Sequence, residues 1–271
     1  MLLRSADSSS EIIETGGYVA SLTLGGKEVL LRSEDGRQTH GGACNLIPYA
    51  GRIRKGSYTF RSVNYEFPAG EDGNSIHGFA RECEFRAVAR AEDRVTMCSV
   101  LRNKGYPTEL SVNIAYAITH DSFSVSYTAI NTGKAAAPLV IGSHPYFIVE
   151  GGWTVTPSAD AGKLHLADKY FPDGRLEQFD FSGNLEKKNL DNCFVGGGTL
   201  RLRSEAGTVR IERCNMDYFL LYNGRYARGR SVAIEPMTGA PDAFNNGLGI
   251  AVIEQGKRFD CSYSITAEQQ S

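Results

Sequence analysis

The sequence contains no Cys-x-x-Cys pair, no H-x-H or H-x-x-x-H spacing and no long apolar run. Its six cysteines, Cys44, Cys83, Cys98, Cys193, Cys214 and Cys261, are scattered. A zinc site is therefore unsupported. No stretch approaches the roughly 18 apolar residues of a membrane-spanning helix. The segment "MLLRSADSSS" turns polar before any signal-type apolar region develops. These absences lead to the expectation of a cytoplasmic protein with reduced thiols and no membrane partner.

An excess of charge of one sign is also missing. Lys and Arg number 29 against 31 Asp and Glu, for a net charge of −2 and a pI near 6.2. Nothing in that balance asks for nucleic acid, so a small molecule, neutral or recognised locally, is the expected partner. There is no G-x-S-x-G, and Ser143 adjoins His144 in a strand, where successive side chains point opposite ways. A Ser-His-Asp hydrolase is thus unsupported. The glycine run in "VGGGTL" lacks a following helix and reads as a turn between strands rather than a phosphate loop.

Helical periodicity is absent as well; the period present is two. In "LSVNIAYAI" Leu110, Val112, Ile114, Tyr116 and Ile118 share a face, and "SFSVSYTAI" alternates Phe123, Val125, Tyr127 and Ala129 with Ser and Thr. The two are joined through "THD" as a hairpin. The same pattern recurs in "GSYTFRSVNYEF", "RVTMCSVL", "TLRLRSEAGTVRIER", "DYFLLY", "SVAIEP" and "RFDCSYSI", each bounded by turn residues. With 30 glycines and 41% hydrophobic residues, this predicts an all-β, large and mostly antiparallel β-sandwich. No linker, repeat or low-complexity segment divides it, so residues 1–271 are expected to form a single domain.

Four places carry polar residues that a plain sandwich does not require. "NLIPYAGRIRKG" sets Arg52 at a hairpin entry, and "NSIHGFAR" sets His77 against a glycine that lets the backbone turn sharply and another group approach. "GSHPYF" puts His144 before a proline that forces extended geometry. "AIEPMTGAPDAFNNG" places Glu235 and Asp242 beside prolines. Each alone is most simply structural, as expected for His40, His120 and His165. Together, two histidines, an arginine and carboxylates at rigid Gly/Pro punctuation point to one cleft.

In their order, the motifs "NLIPYAGRIRKGSYTF", "IHGFAR", "GYPTEL", "GSHPYF", "LDNCF" and "EPMTGAPDAFN" resemble the aldose 1-epimerase (galactose mutarotase) family. The resemblance implies a sugar cleft on one sheet of the sandwich and interconversion of the α and β anomers of a free sugar, without metal or cofactor. It implies His144 as general acid, Arg52 and His77 as sugar contacts and Asp191 as a ligand to sugar hydroxyls. Histidine suits the acid role because its ordinary pKa, about 6.5, lets it give and retake a proton near neutrality.

The resemblance also implies a base in a Pro-Gly-Glu turn before the last strand, where this sequence has Gln255, Gly256 and Lys257. An ammonium group cannot accept the anomeric proton, so Glu235 is the expected base, ahead of Asp191 and Glu254, and Lys257 is left as a substrate contact. Three readings follow: an isomerase using Glu235, a non-catalytic sugar-binding relative, or an epimerase for an anionic, phosphorylated sugar. The last draws on Lys257 and on Arg225, Arg228 and Arg230 in "YNGRYARGRS". Gly51 stands where the family usually has asparagine. The partner is a small-molecule sugar, and the protein is expected to be a monomer or homodimer.

Overall fold

The alternating stretches become strands paired in register. In the computed structural model, which describes residues 1–158, 161–227 and 229–268, Leu110–Ile118 and Ser122–Asn131 pair antiparallel from Leu110↔Asn131 to Ile118↔Phe123. Their apolar faces are buried and their Ser, Asn and Thr faces are not. "GSYTFRSVNYEF" forms the hairpin Ser57–Phe60 and Val63–Glu66, closed by Arg61 and Ser62, both at positive φ. That conformation twists the turn the way the strands twist.

Among the described residues two large sheets form. The first has eleven strands; its centre runs Tyr18–Leu24, Ala43–Leu46, Gly142–Ile148, Ser231–Met237, Tyr218–Tyr222 and Asp191–Val195. The second has eight, centred on Leu110–Ile118, Ser122–Asn131, Arg258–Glu268 and Gly207–Cys214. Sheet pairings are antiparallel throughout, and α-helix among the described residues is confined to the turn Ala243–Asn246. The fold is the antiparallel β-sandwich that the alternation predicts.

The sheets meet across an apolar core containing Ile114, Phe123, Val125, Ile211 and Ile265, all fully buried. Each such side chain contributes about 1.5–3 kcal/mol by leaving water. A polar seam runs through this core. Asn45 of the first sheet donates from Nδ2 to the carbonyls of Gly16 and Gly17, lies 2.9 Å from the Tyr116 hydroxyl and accepts from Tyr127 at 2.7 Å. Ser143 Oγ lies 2.8 Å from the Tyr263 hydroxyl. Because strand side chains alternate, Asn45 and Ser143 facing the second sheet means that their neighbours Cys44 and His144 face away from it.

Replacing Asn45 with leucine should leave the Tyr127 hydroxyl and the Gly16 carbonyl buried without this partner, while Tyr116 and Gly17 keep their bond to each other. We expect a loss of about 3 kcal/mol in urea unfolding, against about 1 kcal/mol for Tyr127→Phe. An unchanged midpoint in Asn45→Leu would show that packing alone joins the sheets.

Candidate functional site

The outer face of the first sheet carries a row of side chains set by register. Gly142 pairs with Met237 and Tyr146 with Ala233, which brings His144 opposite Glu235 on the facing strand. His144 also pairs with Cys44 on its other side, while Glu235 pairs with Leu220 and Leu220 with Cys193. Directly opposed residues on one face stand about 4.5–5.5 Å apart at Cβ, close enough for side chains to meet. His144 Nε2 lies 3.1 Å from Glu235 Oε1, with side chains only 6% and 2% exposed. The His144 ring stacks on Tyr146, 4.7 Å between centroids, and Tyr146 is fixed by donating to the Thr39 carbonyl at 2.7 Å.

Burial dominates the electrostatics of this pair. It pushes the His144 imidazole down to about 4 and the Glu235 carboxyl well above the usual carboxylate range, with Asp191 adding to the rise at Glu235. Both shifts favour the uncharged forms. Burial thus disfavours separate charges on this pair, and one proton shared between them is written either as neutral imidazole with carboxylic acid or, after one proton shift, as imidazolium with carboxylate. His144 Nδ1 and Glu235 Oε2 are buried with no hydrogen-bond partner.

The pair forms the floor of a cavity of about 370 Å³, which Arg52, His77 and Asp191 also line. Such a volume falls in the range of small-molecule sites. His77 adopts φ +64°, and its ring meets that of His144 edge-on at 5.3 Å. A Cβ on the next residue, Gly78, would lie 2.1 Å from the Ile47 carbonyl oxygen, so only glycine lets the two backbones approach and turns His77 inward. Burial, followed by the neighbouring His144, holds the His77 imidazole well below its ordinary pKa.

Arg52 is pre-oriented by two neighbours. Its Nε donates to Asp72 at 2.7 Å, and its guanidinium lies 3.6 Å over the Tyr170 ring. Gly51 sits at φ +67° with Pro241 so near that a Cβ would come within 2.8 Å of it. Proline packing thus accounts for glycine at this position. Asp242 does not line the cavity; it accepts from the Arg54 backbone N–H at 2.9 Å while its own N–H donates to the Arg52 carbonyl at 2.7 Å. It is a clamp on the Arg52 segment. Asp191 is raised from the usual carboxylate range by burial, partly opposed by Arg52 and Lys169.

Lys257 is placed elsewhere, which corrects the expectation that it contacts substrate. It is exposed, in the turn that opens strand Arg258–Glu268 of the second sheet, with its carbonyl accepting from Asn131 N–H at 3.0 Å. The first sheet lies between that strand and the cavity. Glu254, a candidate base, is exposed and paired with Arg61 outside the cavity. Arg225 and Arg230 are exposed and absent from the lining, Arg230 pairing with Glu34, and Arg228 lies outside the described residues. His120 and His165 pair with Asp7 and Asp173 away from the cavity, whereas His40, expected to be structural, lines it. The His40 ring stacks on Tyr226 at 3.5 Å.

Sequence reasoning missed Arg81, Tyr146, Tyr170 and Tyr222, which also line the cavity. Three of them lie inside segments already singled out: Arg81 ends "IHGFAR", Tyr146 follows His144 by two in "GSHPYF", and Tyr222 opens "YNGRYARGRS". The two-residue period alone would have placed Tyr146 beside His144. Among the described residues no three His, Cys, Asp or Glu side chains are placed to share a metal ion.

A profile of the aldose 1-epimerase family matches residues 1–266. The uncharacterized Escherichia coli protein YihR is 24% identical over 99% of this chain and 93% of its own length. Two solved structures superpose on nearly the whole chain. A GalM/aldose epimerase homologue from Caenorhabditis elegans has a TM-score of 0.86 at 17% identity, covering 100% of this chain and 99% of that one. A galactose mutarotase-like protein from Lactobacillus casei has a TM-score of 0.84 at 19% identity, covering 99% of both. At such identities the likeness establishes the fold.

The burial of the pair has a measurable cost. Glu235 has a raised folded pKa, so its contribution to stability is present below about 4.5 and is lost as pH rises above that. His144 has a depressed one, so its contribution is present above about 6.5 and is lost as pH falls towards 4. Glu235→Gln, neutral at every pH, should therefore raise the melting temperature at pH 7–8 and give little gain near pH 4. A lower melting temperature at pH 8 would show that the carboxyl is stabilised in the folded protein.

Proposed function

Because the chain belongs to the aldose 1-epimerase family, a family of carbohydrate epimerases, we infer that it interconverts the α and β anomers of a free aldose, with His144 as general acid and Glu235 as general base. The observation that supports this most is the 3.1 Å contact between these two buried groups on the floor of a polar cavity. An anomer exchange needs one group that gives a proton to the ring oxygen and another that removes the proton from the anomeric hydroxyl. A dyad holding one proton supplies both without exchange with solvent.

In the reactive form His144 is the imidazolium and Glu235 the carboxylate, one proton shift from the neutral form that burial favours. Sugar hydroxyls filling the cavity stabilise that ion pair by donating to the carboxylate and accepting from the imidazolium. Glu235 takes the proton from the C1 hydroxyl while His144 protonates the ring oxygen, the C1–O5 bond breaks, and the aldehyde forms. Rotation about C1–C2 exposes the other face of the carbonyl; the ring oxygen then attacks it, His144 recovers its proton, and Glu235 returns the other to the new anomeric oxygen. Arg52, fixed by Asp72 and Tyr170, donates to sugar oxygens without risk of deprotonation. Asp191 accepts from ring hydroxyls, and His77 holds the sugar near the ring oxygen.

Exchange spectroscopy on a panel of aldoses tests this reading. Wild-type protein should accelerate anomer exchange, and His144→Ala and Glu235→Gln should each lower kcat by about 10²–10⁴-fold. Lys257→Ala should stay within about twofold, as for a surface substitution. Saturable sugar binding with exchange at the uncatalysed rate would instead mark a sugar-binding relative without catalysis.

The pH profile carries a second expectation. When both groups of the dyad are protonated there is no base, and when neither is there is no acid. kcat/KM should therefore fall on both sides of a plateau, with limbs that belong to the pair rather than to either residue. A profile with a single limb would break the assignment of both roles to this pair.

A further inference from the structure

Of the buried side-chain atoms without a hydrogen-bond partner among the described residues, three belong to His77, His144 and Glu235, and the fourth is Nε of Arg81. The first three face the reacting end of the sugar and need no further account. Arg81 does, because its side chain is 29% exposed yet its cationic head leaves the buried Nε–H without an acceptor.

Its surroundings do not supply a strong counter-ion. Arg81 lies in the single turn Ala80–Glu82, whose backbone is held by Gln38 Nε2 donating to the Arg81 carbonyl at 3.2 Å. Its carboxylate contact is Glu82, at 3.4 Å and 71% exposed, where water weakens the pairing. Arg52, the other guanidinium lining the cavity, is taken up by Asp72 at 2.7 Å. Neither carboxyl of the floor, Glu235 or Asp191, is in ion-pair contact with Arg81 among the described residues. Thr39 and His40, which follow Gln38 directly, line the same cavity as Arg81.

We propose that the Arg81 end of the cavity is a subsite for an anionic substituent, a carboxylate, phosphate or sulfonate, on the exocyclic carbon of the bound aldose. The inference rests on the mutarotase reading of the dyad. The exocyclic carbon C6 is attached next to the ring oxygen that His144 protonates but takes no part in ring opening, so an anion carried there is free to meet another wall of the cavity that Arg81 and His144 both line. Arginine presents paired N–H donors that match the oxygens of such groups. Lys257 and the exposed Arg225 and Arg230 take no part.

Anomer exchange should be measured with glucose, glucuronate, glucose 6-phosphate and 6-deoxy-6-sulfoglucose, on wild type, Arg81→Gln and Arg81→Lys. At least one anionic hexose should be exchanged with kcat/KM ten or more times that of glucose, and which one it is identifies the anion. Arg81→Gln should lower that ratio at least tenfold, and Arg81→Lys should restore part of it. Glucose exchanged as well as all three anions, or a loss in Arg81→Gln equal for neutral and anionic sugars, would overturn the subsite. If wild type exchanges none of them, the mutarotase reading fails by itself. Calorimetric titration with the three anionic hexoses then reads the subsite separately: binding that weakens tenfold in Arg81→Gln upholds it, and binding that is absent or unchanged overturns it.

Discussion

The strand register that sets His144 opposite Glu235 is the constraint on which the rest of the site depends. Side chains in a strand alternate, so a slip of one residue between Gly142–Ile148 and Ser231–Met237 would move His144 to the core face and Ser143 to the cavity. The seam beneath opposes such a slip. Ser143 is engaged with Tyr263 and Asn45 with Tyr116 and Tyr127, contacts that exist only when the polar residues of the floor point the other way. The core side of the sheet thus specifies the chemistry of the outer side.

The walls come from loops and short hairpins rather than from the sheets. Arg52 and His77 are brought together by the small pair Arg52–Ile53 and Ser75–Ile76, with His77 N–H donating to the Gly51 carbonyl at 2.8 Å. Positive φ at Gly51, His77 and Gly78 makes the necessary turns, and Pro241 and Asp242 brace them from the far side. Residues that are distant in sequence are each anchored to backbone, which keeps the polar heads in place before substrate arrives.

The fold was legible in the sequence because a period of two over nine or ten residues, as in Leu110–Ile118 and Ser122–Asn131, has few other structural solutions. Much of the cavity was legible too, since Arg52, His77, His144, Asp191 and Glu235 are each marked by adjoining Gly or Pro or by a recognisable motif. Lys257 was misplaced because a position beside the last strand was matched by its local Gly turn, and a local match carries no information about which sheet the strand joins. His40, Arg81 and Tyr170 were not legible for a related reason. They reach the cavity from the Gln38–His40 turn, the Ala80–Glu82 turn and the Asp168–Phe171 connection, whose positions are fixed only by tertiary contacts.

The burial of His144 and Glu235 also bears on which species along the reaction the protein favours. In the proposed mechanism, once His144 has protonated the ring oxygen and Glu235 has taken the anomeric proton, the pair is neutral while the open-chain aldehyde occupies the site. Under that mechanism, the burial that makes the ion pair unfavourable at rest is matched to the acyclic intermediate rather than to either ring form. Neither anomer is preferred by this match, because under that mechanism ring opening from either one passes through the same neutral pair.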